Sequence, residues 1–216
     1  MINRTTLEFS SSPQSLNWLE GDLIDWVSGG AKYSINGDYQ SSGVVFSYRF
    51  DAAVQSDNGV YAIIYEKLGT KGLLLKNGSI LRELNRSFYH AGTYEYPIAF
   101  VKLPTGEYAI VHCPEEYCQV EIDLAENGER LTSSTHRKPI DQFYSRFRVN
   151  TSQNLLIDTG WVWQPMDILS FYDIQECLNQ NLRTLTLRKV LSDHFSLNNI
   201  SELIPIINVA LIYSFF

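Results

Sequence analysis

Basic residues are scarce in this chain: 17 Lys and Arg stand against 24 Asp and Glu, a formal net charge of −7. Those 17 are scattered along the sequence. The basic stripe that a phosphate backbone demands is therefore missing, and nucleic acid is not an expected partner. Cysteine is scarcer still, at 3, and an odd, low number fits free thiols in a reducing compartment better than a disulfide scaffold. Apolar runs of the roughly 18 to 20 residues that cross a bilayer are also lacking. The longest candidate, Leu203 to Phe216, is broken by Pro205 and Asn208. The first residues, Met1 to Glu8, carry charge without the apolar stretch of a secretory signal. These absences lead to the expectation of a soluble, cytoplasmic protein with no membrane partner.

Motifs of catalysis are lacking as well. There is no Gly-x-Ser-x-Gly turn for a nucleophile, and no Gly-x-x-x-x-Gly-Lys-Ser/Thr loop for a phosphate. The loop Glu66 to Lys71 places charges around Gly69 without that spacing, and they read as solvated. Glu115 with Glu116, and Asp123 with Glu126, are acids of a kind normally found at solvated edges. No catalytic residue and no cofactor is expected.

What the chain does have is a repeat. A unit made of short strands recurs three times at a spacing of about fifty residues, the sequence mark of propeller blades. Opening strands are expected at Phe46–Phe50, Ile98–Lys102 and Phe143–Val149. Polar turns follow at Gln55–Gly59, Pro104–Gly106 and Asn150–Asn154, then apolar second strands at Val60–Tyr65, Tyr108–His112 and Leu155–Asp158. Third strands are expected at Leu73–Lys76, Cys118–Asp123 and Ile168–Asp173. Ahead of these, Leu16–Trp18, Asp22–Val27 and Ala31–Ile35 read as three strands of a blade whose remaining strand comes from elsewhere, expected at the far C-terminus.

The expected architecture is all-β: a propeller-like array of three to four four-stranded antiparallel blades, forming an incomplete ring. A propeller-like domain spans 1–178, with a partial blade at 7–37 and blades at about 44–86, 98–132 and 143–178. A C-terminal tail, irregular or partly helical, covers 179–216. Its apolar end, Ile200 to Phe216, is open to three readings: a core segment, a stretch foreign to the repeat, or an anchor or partner helix. Self-association through open blade edges follows from an unclosed ring.

Several stretches carry a resemblance: Trp18 to Gly30, Tyr65 to Leu75, Asn85 to Ala91, Tyr94 to Pro97, His112 to Cys118, Arg137 to Pro139 and Gly160 to Asp167. Through them the chain resembles a family of uncharacterised bacterial β-propeller-like proteins of the WD40 or quinoprotein-like kind, over about Leu16 to Leu178. The resemblance implies the fold and no particular activity. Family members continue into further blades, which implies that this chain departs from them, as if truncated, after about residue 178.

In a propeller, the loops between second and third strands and those between blades share one face. Here that face collects Glu66–Lys71, Pro114–Tyr117, Trp161–Asp167, Ser87–Tyr96 and Ser134–Gln142. It carries the aromatic and ionisable residues, while the opposite turns hold only small, polar and Pro residues. The candidate binding residues are His90, Tyr94, Tyr96, His136, Trp161 and Trp163, because loop residues on a rigid frame do most recognition. The leading expectation is a binding or protein-interaction scaffold. The alternatives are an enzyme or small-molecule binder with His90 and His136 at a central funnel, or a truncated product without independent function. A His in such an interblade loop is, in the WD40-type propellers that it resembles, a structural hydrogen-bonding residue. Cys113 and Cys118 are expected to be buried across one hairpin without a metal, since His112 points to the opposite face of its strand.

Overall fold

Strand ends in this chain are set by turn chemistry, and the clearest case is Asn77-Gly78. Both residues lie in the left-handed region, at φ 50° and 78°. That is the two-residue hairpin geometry that Asn-Gly favours, because its twist matches that of the flanking strands. The computed structural model describes residues 6, 8–9, 11–132, 139, 141–162 and 166–179. It divides into two compact units, 1–85 and 86–216.

The first unit holds two four-stranded antiparallel sheets in simple sequence order. One is β1 (Asn17–Leu19), β2 (Asp22–Asp25), β3 (Ala31–Tyr33) and β4 (Tyr39–Gln40); the other is β5 (Ala52–Gln55), β6 (Tyr61–Tyr65), β7 (Lys71–Lys76) and β8 (Ser79–Asn85). The first sheet therefore completes itself with β4, so it needs no strand from the far end of the chain. The expected opening strand at Phe46–Phe50 is irregular; the strand that enters the second sheet is β5, registered Ala52 to Tyr65 through Gln55 to Ala62. The reason lies in the turn. Ser56 N donates to Tyr61 O at 2.9 Å, and Asn58 Oδ1 accepts from Val60 N at 3.1 Å, which closes a tight loop directly after Gln55. Gln55 also ties the two sheets, accepting from Trp26 Nε1 and donating to Trp18 O, each at 2.7 Å. Ile24, Trp26, Phe50, Ala62, Ile64 and Leu75 form the core between them. β6 is buried along its whole length, which its unbroken Tyr-Ala-Ile-Ile-Tyr run dictates, since an alternating strand would leave one face wet. Each fully buried aliphatic side chain contributes about 1.5–3 kcal/mol.

In the second unit, β9 (Ile98–Lys102), β10 (Tyr108–His112) and β11 (Glu121–Leu124) form one three-stranded antiparallel sheet. A second comprises β12 (Arg148–Val149), β13 (Leu155–Asp158) and, after the small pair β14 (Trp161–Val162) and β15 (Met166–Asp167), β16 (Ser170–Asp173). A one-and-a-half-turn helix, α1 (Ile174–Asn179), follows, its first turn capped by Asp173 Oδ1 accepting from Glu176 N at 2.8 Å. The core gathers both sheets and the helix: Val101, Val111, Ile122, Tyr144, Phe147, Leu156, Tyr172 and Cys177. β9, β10 and β13 occupy the expected residues. The expected strand Phe143–Val149 shortens to β12, Phe143 making an isolated bridge to Trp161 instead. Cys118 lies in a loop because Pro114 ends the pairing after His112, so β11 begins only at Glu121, its partner. Cys113 is buried and Cys118 half-buried, both as free thiols. The expectations about the C-terminal tail fall on residues outside those described.

The chain is thus all-β and propeller-like: successive antiparallel meander sheets with one short helix among the described residues. No helix among them is long and apolar enough to cross a membrane.

Candidate functional site

The segment that enters the second unit begins with a buried cation. Arg86 donates from one guanidinium nitrogen to Ala91 O at 2.8 Å and Tyr94 O at 3.0 Å. Its guanidinium also lies 4.5 Å from the centroid of the Tyr94 ring and 4.8 Å from that of Tyr96. A charge taken out of water needs such company, and the two ring faces and two carbonyls supply it. Burial still holds its pKa below the ordinary arginine value. The clamp fixes the loop 87–96. Within it His90 sits in the left-handed region at φ 51°, and its carbonyl accepts from Thr93 N at 2.9 Å and Thr93 Oγ1 at 2.7 Å.

Above this clamp the rings converge on Phe143. Trp161 stacks on it at 4.1 Å with planes 10° apart, and Tyr117 at 4.6 Å. Tyr94 meets it edge-on at 5.3 Å and His90 at 5.8 Å, while Tyr89 lies 4.7 Å from Tyr117. Phe143 is buried inside this cluster; Tyr89 is 45% exposed and Phe88, next to it, 85%. Offset and edge-on ring pairs each add about 0.5–1.5 kcal/mol beyond their buried area, so the cluster is held firmly. Tyr117 donates its hydroxyl to Asp141 Oδ1, and burial together with that bond raises its pKa.

Beneath the cluster lies Asp158, the last residue of β13 and wholly buried. Its Oδ1 accepts from Ser145 N at 2.9 Å and its Oδ2 from Gln142 Nε2 at 2.5 Å, residues on either side of Phe143. Burial pushes its pKa up to about 8; the bonds from Ser145, Gln142 and the Gly160 amide oppose that push without overcoming it. His112, the last residue of β10, is also buried, with Nε2 2.9 Å from Asp123 Oδ2. Asp123 also accepts from Arg130 Nε at 3.0 Å, and Arg130 reaches Glu115 at 2.9 Å. Burial would raise the Asp123 pKa, but its bonds to His112 and Arg130 bring it below the ordinary value. His112 is thus committed inside its sheet.

Of the residues expected at a binding site, the structure brings His90, Tyr94 and Trp161 into one cluster. Tyr94 and Tyr96 are buried beneath the surface, their phenol pKa values raised by burial, that of Tyr94 to about 12. His136 and Trp163 lie outside the described residues. Sequence reading did not single out Phe88, Tyr89, Arg86, Phe143 or Asp158. A signal for the last was present: Leu-Ile-Asp ends a strand at both Leu23–Asp25 and Leu156–Asp158. Among the described residues, no group of three or more His, Cys, Asp and Glu is placed to hold a metal.

No family model matches the chain, and no curated protein matches it. Among solved structures it is similar to hydrazine synthase of Kuenenia stuttgartiensis, at 11% identity over 82% of this chain and 50% of that one, with a TM-score of 0.50. Weaker likenesses are to the β-propeller domain of Cps50 (Swd1) from Myceliophteria thermophila, at 13% identity over 68% of this chain and 49% of that one, TM-score 0.44, and to the Dos1 propeller, at 13% over 76% and 44%, TM-score 0.44. The chain spans about half the length of the structures it matches. At such identities the likeness concerns the fold alone.

Proposed function

We propose that this chain is a non-enzymatic protein-interaction scaffold that meets its partner with the aromatic loop face of its second unit. The observation that carries this reading is Tyr89, half-exposed and packed on the stacked Tyr117 and Phe143, with the exposed Phe88 beside it in sequence. An exposed ring held in place by stacked neighbours, as Tyr89 is, offers contact area at little entropic cost, the property of an interface anchor. Trp161 and His90 belong to the contact surface; Tyr94 and Tyr96 act from beneath by fixing the loop. His136 and Trp163 are included by their sequence position in the same loops. The closed stacking about Phe143 favours this reading over a funnel for chemistry at His90, whose ring is spent on Tyr89 and Phe143. A reducing, cytoplasmic setting belongs to the same proposal and draws support from the free thiols Cys113, Cys118 and Cys177.

The test compares proteins cross-linked to the full chain with those cross-linked to a Phe88→Ser, Tyr89→Ser double variant. Both side chains reach solvent, and because Tyr89 also packs on Tyr117 and Phe143 the variant's fold is checked by its thermal melt. A partner whose recovery falls at least tenfold in the variant is the expected result. Equal recovery of every partner would remove the aromatic face from consideration.

A further inference from the structure

The first unit has a surface feature of a different kind, independent of the aromatic cluster. The irregular segment 41–50 arches past the end of β2 and leaves an open cleft of about 700 Å³. Small-molecule sites commonly measure 300–1,000 Å³, so the volume suits a ligand of a few rings. The segment is fixed to its wall. Ser42 Oγ donates to Ser28 O at 3.4 Å, and Val44 O packs so close to Gly29 that a Cβ there would sit 2.4 Å from it. Gly29 is at φ 73°, which a side chain would also strain.

Two rings face the opening, Tyr39 at 39% exposure and Tyr48 at 42%. Tyr48 is braced on three sides: its hydroxyl donates to Glu66 Oε2 at 2.8 Å, Phe50 lies 5.1 Å away, and the Lys71 ammonium lies 5.7 Å from the ring centroid. The carboxylates are already engaged, Glu66 by that hydroxyl and Asp51 by Lys67 N at 2.8 Å. Among the described residues, the Gln14 side-chain amide, the Ser47 hydroxyl and the Arg49 guanidinium line the cleft without hydrogen bonds of their own.

The lining selects a ligand class by elimination. Its charged residues are Arg49, Asp51 and Glu66, one negative charge in excess, which disfavours phosphates and carboxylates. Its uncommitted donors and acceptors would be left unpaired by a purely apolar ligand, which is unfavourable for each group that becomes buried. A molecule with hydrocarbon faces and many neutral hydroxyls satisfies both conditions. We propose that this cleft binds a neutral saccharide, whose ring faces stack on Tyr48 and Tyr39 while its hydroxyls pair with Gln14, Ser47 and Arg49.

The test applies the full chain to a microarray of neutral and acidic oligosaccharides, then measures the best-retained neutral glycan by calorimetry. Expected is retention of at least one neutral glycan, with affinity reduced at least tenfold by Tyr48→Ala and less than threefold by Tyr48→Phe, which keeps the ring. Arg49→Met, an exposed change, should weaken binding about three- to tenfold, and it carries the test alone should Tyr48→Ala melt early. Binding must also survive Phe88→Ser with Tyr89→Ser, which separates this site from the proposed interaction face. Retention of no neutral glycan, preference for acidic ones, or affinity unchanged by Tyr48→Ala and Arg49→Met would overturn the proposal.

Discussion

The two units place a buried carboxylate at the same position, the last residue of the second strand of a sheet, and use it differently. In the first, Asp25 accepts from Gln14 N, from Ser15 N and Oγ, and from Ser28 N and Oγ, at 2.8–3.2 Å. Burial alone would raise its pKa, but these bonds outweigh it and hold the group below the ordinary carboxylate value. In the second, Asp158 has fewer donors and its pKa rises to about 8. Each carboxylate anchors chain that carries a candidate surface. Asp25 holds Gln14 and Ser28, which line the cleft; Asp158 holds Gln142 and Ser145, which flank Phe143. Burial, which weighs more heavily on Asp158, and the number of donors opposing it together decide whether such an anchor is a fixed charge or a group that titrates near neutrality. The surfaces above them differ too: rings pack into one wall of an open cleft in one unit and stack shut around Phe143 in the other.

The largest contrast should come from truncating one ring of each surface. Phe143→Ala removes the centre of a closed cluster and should cost about 3–5 kcal/mol of stability. Tyr48→Ala removes a half-exposed ring and should cost no more than about 1 kcal/mol. Urea denaturation of both variants checks this, and equal costs would break the distinction between a closed cluster and an open cleft.

Next comes Asp25→Ala, which leaves several buried donors without an acceptor and should destabilise by about 2–4 kcal/mol. The contribution of Asp25 is present above its ordinary unfolded value and is lost as pH falls through its lower folded value. The variant's deficit, read from urea midpoints across a pH series, should therefore shrink in acid. A deficit that stays constant down to the acid limit would mean that Asp25 is not held as a charge.

The smallest effect in acid, and one that grows as pH rises, belongs to Asp158→Asn. The folded pKa of Asp158 is raised, so its contribution is fully present below the ordinary unfolded value, near 4, and is lost as pH rises towards about 8. Asn cannot ionise. The variant should lie within about 1 kcal/mol of the parent at pH 4 and exceed it at pH 8, since it escapes the cost of burying a charge. Thermal melts at the two values decide it; a variant equally impaired at both would show an ordinary, charged Asp158.

The second strands were legible from sequence because each is an unbroken apolar run bounded by a turn, as Tyr61–Tyr65, Tyr108–His112 and Leu155–Asp158 show. First strands were harder. Phe46–Phe50 alternates like a strand, yet its rings pack as a loop wall, and the pairing falls to Ala52–Gln55 beside the tight Ser56–Gly59 turn. Short strands such as Tyr39–Gln40 carry no periodicity to read. For the site, assigning loops to a shared face brought His90, Tyr94 and Trp161 under consideration, but depth could not be read. Whether a tyrosine meets solvent or an arginine depends on contacts such as those of Tyr94 and Tyr96 with Arg86, which sequence spacing does not encode. Asp158 was hidden for the same reason, since an acid closing an apolar strand looks like a solvated end until Gln142 and Ser145 are seen to enclose it.

The most direct test of this pairing of anchors is a side-chain carboxyl titration of the full chain by carbon-13 NMR, with Asp25 and Asp158 assigned through their Asn variants. Asp25 should titrate below the ordinary carboxylate value and Asp158 near 8. Both groups titrating together near 4, or Asp158 below Asp25, would contradict it.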